Sequence, residues 1–272
     1  MYKKLLIFLL FVSAFYVTNA CSVLYYIDAE TGKIYVANNE DYWYDVNPYL
    51  QFNPAKKHEL ARVWYGWKKF AQGGINEAGL FFDGAVAPTQ VIPDGYSDPH
   101  YNLGDKILAQ CKTTSEAIDF LETNKIAIES GHIIFGDKNG DAAVVEWVGG
   151  KRIITRITEN YLAMTNFLLS DTTRGNFPCY RFNAIETGVS ELKLNNQPDD
   201  LKMVGNVIAK AVQLPATDSS GREGGTLYST FINITDMELI VVYKLDNSKK
   251  MQLQLNTLFE KKRKQKIKMN NF

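Results

Sequence analysis

The chain has 272 residues, 46% of them apolar, with 30 basic and 30 acidic side chains and three cysteines. That apolar fraction excludes an intrinsically disordered polypeptide, and a zero formal charge excludes a uniformly basic nucleic-acid binder. Three cysteines cannot build a disulfide-dense scaffold, so a globular domain with a sizeable core remains.

At the front, Lys3 and Lys4 precede an apolar run over 5–17, followed by Thr18-Asn19-Ala20. The charge, the length and the small-residue exit predict a secretory signal peptide over 1–20. The run is too short to span a bilayer and no later stretch reaches 18 apolar residues, so no stable membrane insertion is expected. The expected product is an exported protein, periplasmic or secreted, with one domain over 21–259.

Runs over 22–28 and 33–38, joined by Ala29-Glu30-Thr31-Gly32, predict a hairpin that starts just after the cleavage site. Further strands are predicted at 61–67, 79–86, 131–136, 142–148, 151–157, 161–165, 226–233 and 238–245. Asp137-Lys138-Asn139-Gly140 predicts a tight turn between two of them. Helices fit 103–111, 114–124, 178–190 and 201–213, the second opened by a Thr113 and Glu116 capping box. Strands at both ends with helices between them predict an α+β domain of antiparallel sheets covered by helices. Residues 260–272 form a basic tail with Lys261, Lys262, Arg263, Lys264, Lys266 and Lys268. A solvated, frayed terminus with no nucleic-acid partner is the expectation there.

The three histidines, His58, His100 and His132, stand in no metal spacing, so neither a metal nor a cofactor is expected. Serine-hydrolase elbows and phosphate-binding loops are missing from the sequence, and the Gly-Gly pairs at 73–74 and 224–225 read as turns. Cys111 and Cys179 either form a disulfide or stay as two buried thiols, and in both cases Cys21 is left over. Cleavage after Ala20 would give Cys21 a thiol and a free α-amine on one residue. Their unperturbed pKa values, about 8.5 and about 7.7–8, let the amine take the thiol proton near neutral pH. A competing use of such a cysteine is lipid attachment, giving a lipid-anchored, non-catalytic binding protein. Against it, the residue three before the cysteine is Thr18 rather than leucine, and no flexible spacer follows.

The downstream blocks carry a resemblance. Cys21-Ser22 with the run from Gly32 to Asp41 is followed by Gly74-Ile75-Asn76-Glu77-Ala78-Gly79-Leu80. Then come His132 to Gly140 with Val144-Val145-Glu146, Met164-Thr165-Asn166, and Tyr180-Arg181-Phe182. In that order they resemble the choloylglycine hydrolase and penicillin V acylase family, and the related acyl-coenzyme A:6-aminopenicillanate acyltransferase family, from Cys21 to about Tyr243. The resemblance implies an αββα sandwich of the N-terminal nucleophile hydrolase type. It also implies Cys21 as nucleophile and, through its amine, base; Asp41 orienting the amine; and the Asn166 amide and the Val86 backbone N–H as oxyanion donors. Arg181 is implied to supply positive charge that keeps the thiol ionised. Asn38 stands where the bile-salt and penicillin branch has arginine, which removes a cation beside the thiol and points away from those two substrates.

The expected activity is hydrolysis of a linear, non-peptide C–N bond in a small N-acyl amide through a Cys21 thioester, with N-acyl transfer as its variant. Trp43, Tyr44, Trp64, Tyr65, Trp67, Phe81 and Phe82 are candidates for lining the acyl pocket. The sequence leaves open whether the protein forms a homo-oligomer.

Overall fold

The computed structural model describes residues 20–194 and 200–272; of the signal segment expected over 1–20, residues 1–19 lie outside them. The first strand, β1 (Ala20–Ile27), pairs antiparallel with β2 (Ile34–Trp43). The turn between them closes on Asp28, whose carboxylate accepts from the Thr31 N–H at 3.1 Å, and on Gly32 at φ 70°. A left-handed position of this kind suits glycine. This turn fixes the register Ile27 opposite Ile34 and therefore Cys21 opposite Glu40.

Next come β3 (Tyr49–Asn53), β4 (Arg62–Trp67), β5 (Phe70–Asn76), β6 (Phe81–Val86), α1 (Leu103–Gln110) and α2 (Thr114–Thr123). The middle of the chain adds β7 (Gly131–Gly136), β8 (Ala142–Val148), β9 (Lys151–Arg156), β10 (Tyr161–Met164), α3 (Tyr180–Leu194) and α4 (Leu201–Ala209). The last elements are β11 (Ala216–Thr217), β12 (Glu223–Asn233), β13 (Glu238–Tyr243), β14 (Asp246–Gln254), α5 (Leu255–Phe259) and β15 (Gln265–Lys268).

Two antiparallel sheets result. One runs β10-β1-β2-β12-β13-β14 with β11 attached to β12; the other runs β15-β3-β4-β5-β6-β7-β8-β9. Side-chain alternation along each strand sends one set of residues between the sheets and the other toward a helical layer. Val23, Tyr25, Val36, Tyr65, Phe81 and Tyr228 belong to the core between the sheets. Leu24, Tyr26 and Ala37 instead meet Ile185 and Val189 of α3 and Val204 and Ile208 of α4. On the far side, Phe82, Phe135 and Trp147 meet Ile107 and Leu108 of α1 and Ile118 and Leu121 of α2. Four layers, αββα, are the outcome.

The capping box of α2 forms, with Thr113 Oγ1 accepting from the Glu116 N–H at 3.2 Å, although the Glu116 carboxylate takes the Lys112 N–H instead of that of Thr113. Two expectations are corrected. The Gly-Gly pairs are not turns: Gly73 and Gly74 lie in β5 and Gly224 and Gly225 in β12. At Gly74 a Cβ would sit 2.5 Å from the Val63 carbonyl oxygen, and at Gly73 it would run into Asp83 and Tyr65. Packing against a neighbouring strand, rather than chain reversal, demands glycine at these two positions. The basic tail is not frayed. Its residues 265–268 pair with β3 from Gln265 opposite Phe52 to Lys268 opposite Tyr49, and Met269 behind them is fully buried. Lysines alternate there with Ile267 and precede that buried Met269, so the charge faces solvent while the strand covers a sheet edge. Of the two arrangements left open for Cys111 and Cys179, the thiols are free, Cys111 buried and Cys179 partly exposed.

Candidate active site

Residue alternation along β1 decides where the two ends of Cys21 point. Its side chain, 5% exposed, enters the core between the sheets, whereas that of Ser22 points to the helical side. On the helical side stands Arg181, in the first turn of α3. It donates to the Cys21 carbonyl oxygen at 3.0 Å, to Ser22 Oγ at 3.3 Å, to Asp41 Oδ2 at 3.4 Å and to Asn166 Oδ1 at 2.9 Å. One guanidinium therefore ties β1, β2 and the segment after β10 together. Asp41 is fully buried and also accepts from Thr226 Oγ1 at 2.5 Å. Burial pushes its carboxyl up to about 7, against the opposing pull of Arg181 and Thr226.

Asn166 reaches the other sheet by donating from Nδ2 to the Val86 carbonyl oxygen at 2.7 Å. Val86 ends β6, paired with Gly131 of β7. Behind Asn166 the chain is pinned by His132, whose Nε2 lies 2.7 Å from the Thr165 carbonyl oxygen and whose Nδ1 lies 2.9 Å from Glu146 Oε1. Glu146 further accepts the backbone N–H groups of Leu169 and Ser170 at 2.8 and 2.9 Å. Although burial opposes it, the hydrogen bonds from His132 and Ser170 hold this carboxyl below the usual carboxylate range. The pair His132 and Glu146 had no assigned role in the sequence, though both stand in quoted blocks on adjacent strands.

On the inter-sheet side the thiol meets carboxyls rather than cations. Cys21 Sγ donates to Glu40 Oε1 at 3.3 Å. Burial first, then the charges of Glu40, Asp83 and Asp41, raise the thiol well above its ordinary value. The expectation that Arg181 keeps the thiol ionised is therefore corrected: its bond is to the Cys21 carbonyl, across the strand from Sγ. Asn38 is fully buried on the thiol's side of β2, beside the Asp83 carboxyl. Sequence reasoning missed Glu40 as a neighbour of the thiol, yet the hairpin register carried the signal, since a tight turn at 28–33 sets residue 40 opposite residue 21.

Cys21, Glu40 and Asp41 open into a cleft of about 420 Å³ that is also lined by Tyr42, Trp67, Phe70, Phe82 and Tyr101. Of the seven aromatic residues that were candidates for lining it, Trp67 and Phe82 do so. Trp64, Tyr65 and Phe81 are core residues, while Trp43 and Tyr44 lie under Arg222 and Lys244. The reason is again alternation: in β4, Tyr65 points between the sheets, whereas Trp64 points toward α1 and gives its indole N–H to Asp105. Among the described residues no group of three or more His, Cys, Asp or Glu is placed to hold a metal ion.

Residues 28–216 match the family model described as acyl-coenzyme A:6-aminopenicillanic acid acyl-transferase. No curated protein matches the chain significantly. Among solved structures, the fold is similar to that of penicillin V acylase from Agrobacterium tumefaciens, with TM-score 0.69, 19% identity, and 90% of each chain covered. It is also similar to a variant of conjugated bile acid hydrolase from Clostridium perfringens, with TM-score 0.71, 14% identity, and 90% of this chain and 96% of that chain covered. A third similar structure is the Caenorhabditis elegans ortholog of N-acylethanolamine-hydrolyzing acid amidase, with TM-score 0.52, 13% identity, and 79% and 93% covered.

Proposed function

Because this chain belongs to the acyl-coenzyme A:6-aminopenicillanic acid acyl-transferase family and has the fold of N-terminal nucleophile hydrolases, we propose that it is an exported amide hydrolase. Removal of residues 1–20 frees the Cys21 amine, and the enzyme cleaves a linear, non-peptide C–N bond in a small N-acyl compound. The observation that carries this reading is the position of Cys21. The residue borders the cleft while its own carbonyl is tied by Arg181 to Asp41 and Asn166. The thiol, not ionised at rest, transfers its proton to the α-amine as Sγ attacks the acyl carbon. Asn166 Nδ2 and the Val86 N–H are the donors to the oxyanion, and water clears the thioester. The aromatic walls suit an apolar acyl group.

Acyl transfer is the second reading, favoured by the name of the matched family model. There an amine, not water, takes the acyl group from Cys21. Lipid anchoring at Cys21 fits poorly, because Cys21 lies within β1 and pairs with Glu40, with no spacer between it and the sheet to reach a membrane.

The test is turnover of a panel of N-acyl alkyl amides, with and without an added amine acceptor, by the trimmed protein and its Cys21→Ala variant. Free acid formed by the wild type and not by the variant supports hydrolysis, and a new amide formed only with acceptor supports transfer. Equal rates with Cys21→Ala would end both readings.

A further inference from the structure

Charge is unevenly placed along this chain. From Lys261 to Lys268 every charged side chain is basic and no acidic residue follows Glu260, although the formal charge of the whole is zero. Part of this basic run is fixed on a strand. In β15, Lys266 and Lys268 stand opposite Gln51 and Tyr49 of β3. Alternation puts both on the exposed face, with Ile267 on the other.

A second pair of cations comes from the other side of Tyr49. Trp67 at the end of β4 pairs with Phe70 at the start of β5, which leaves Lys68 and Lys69 as a two-residue turn with φ 50° and 70°. This turn is anchored at both of its backbone groups. The Lys69 N–H donates to Tyr49 Oη at 3.1 Å, and the Lys69 carbonyl accepts from Asn102 Nδ2 at 2.9 Å.

The two pairs converge. Lys68, Lys69, Lys266 and Lys268 line one cavity of about 310 Å³ together with Tyr49 and Trp67. Lys266 Nζ lies over the Tyr49 ring, 3.5 Å from its centroid. Among the described residues none of the four lysines enters an ion pair, unlike Lys33, Lys56, Lys125, Lys193, Lys210 and Lys249. The carboxylate in the wall, Asp45, is already held on both oxygens by Arg222, at 2.7 and 2.9 Å. Four ammonium groups from two distant segments therefore share one space without a free counter-charge, and they repel one another until an anion enters.

We propose that this cavity is a binding site for a phosphate-bearing group. Lysine binds phosphate as a point charge with several donors. Ammonium groups supplied by both a turn and a strand suit an anion with more than one charge and several acceptor oxygens. The site adjoins the acyl cleft, since Trp67 is a wall of both, yet it requires nothing of Cys21. Loss of the nucleophile reading would leave it standing. Two sources present this chemistry, a soluble phosphate ester and the headgroup of an anionic lipid.

Calorimetry with inorganic pyrophosphate, and cosedimentation with phosphatidylglycerol vesicles against phosphatidylcholine vesicles, separate the two sources. The variants are Lys68→Asn with Lys69→Gly, the pair that this turn geometry prefers, and Lys266→Gln with Lys268→Gln on the exposed face of β15. Lys57→Gln with Lys112→Gln, exposed lysines outside the cavity, controls for net charge, and circular dichroism verifies that every variant is folded. The expected result is binding that each cavity pair weakens about tenfold or more and the control pair by less than about twofold. Binding of pyrophosphate without vesicles assigns a soluble phosphate, and binding of phosphatidylglycerol vesicles without pyrophosphate assigns a lipid headgroup. No binding of either probe, an equal response to sulfate at matched ionic strength, or an equal loss in the control pair would overturn the inference.

Discussion

Arg181 donates to the amide oxygen of Asn166 at 2.9 Å, and in doing so it determines which way that amide points. The amino group is left facing Val86, whose carbonyl accepts from it at 2.7 Å. Orientation of Asn166 is therefore set by the same guanidinium that touches the Cys21 carbonyl.

Asn166→Asp keeps an oxygen for Arg181 but replaces the donor by an acceptor. Loss of one oxyanion donor lowers kcat by roughly 10²–10³. Melting temperature should fall only modestly, because the new carboxylate oxygen faces the Val86 carbonyl that accepted the amide. A loss of activity no larger than the loss of folded protein would show that Asn166 acts in folding.

Arg181→Ala leaves Asp41 buried without its cation, a change that costs about 3–5 kcal/mol. Removing the charge as well, in Arg181→Ala with Asp41→Asn, should recover part of that loss. Urea unfolding of the four proteins measures the coupling, and strictly additive effects would contradict the pairing.

The pH dependence of stability follows from the raised carboxyls. Asp41, pushed up to about 7 by burial, holds its proton in the folded chain over a range where the unfolded chain has lost it. Its contribution is complete below the ordinary carboxylate value and is lost as pH rises through about 7. Glu40 and Asp83 shift in the same direction, chiefly through burial. Stability of the full chain should therefore fall between about pH 4 and pH 7, by up to about 1.4 kcal/mol per unit and group. Asp41→Asn should flatten this slope, and melting temperatures across the range test it.

The αββα frame was legible in the sequence because turns such as Asp28 to Lys33 and Asp137 to Asp141 are closed by local chemistry that residue types reveal. Strands β3, β5, β14 and β15 were not legible. Gly73 and Gly74 mimic a turn until Asp83, Tyr65 and the β4 backbone are placed against them. The polar edge strand β14, with only Met251 and Leu253 as large apolar residues, carries a weak alternation. At the site, Cys21, Asp41, Asn166 and Arg181 could be named from motif order, and Arg181 binds the other three directly. Which face of β1 carries the thiol depends on sheet pairing, and so the Glu40 and Asp83 environment emerged only in three dimensions.

The C-terminal segment is part of the fold, not an appendage. Met269→Ala should cost about 2–5 kcal/mol, the range for emptying a buried methionine site. A frayed tail would give a change within about 0.5 kcal/mol. Chemical unfolding separates the two.

The account depends most on Cys21 being a free N-terminal nucleophile, and mass spectrometry of the mature protein before and after a thiol-reactive acyl probe tests that directly. Cys179 is the more exposed thiol and Cys111 is buried like Cys21, so accessibility alone would direct the label to Cys179. The predicted result is a chain that begins at Cys21, one acyl adduct, and peptide mapping that places it on Cys21. A chain that starts elsewhere, a diacylglyceryl mass on Cys21, or an adduct on Cys179 with Cys21 untouched would contradict it.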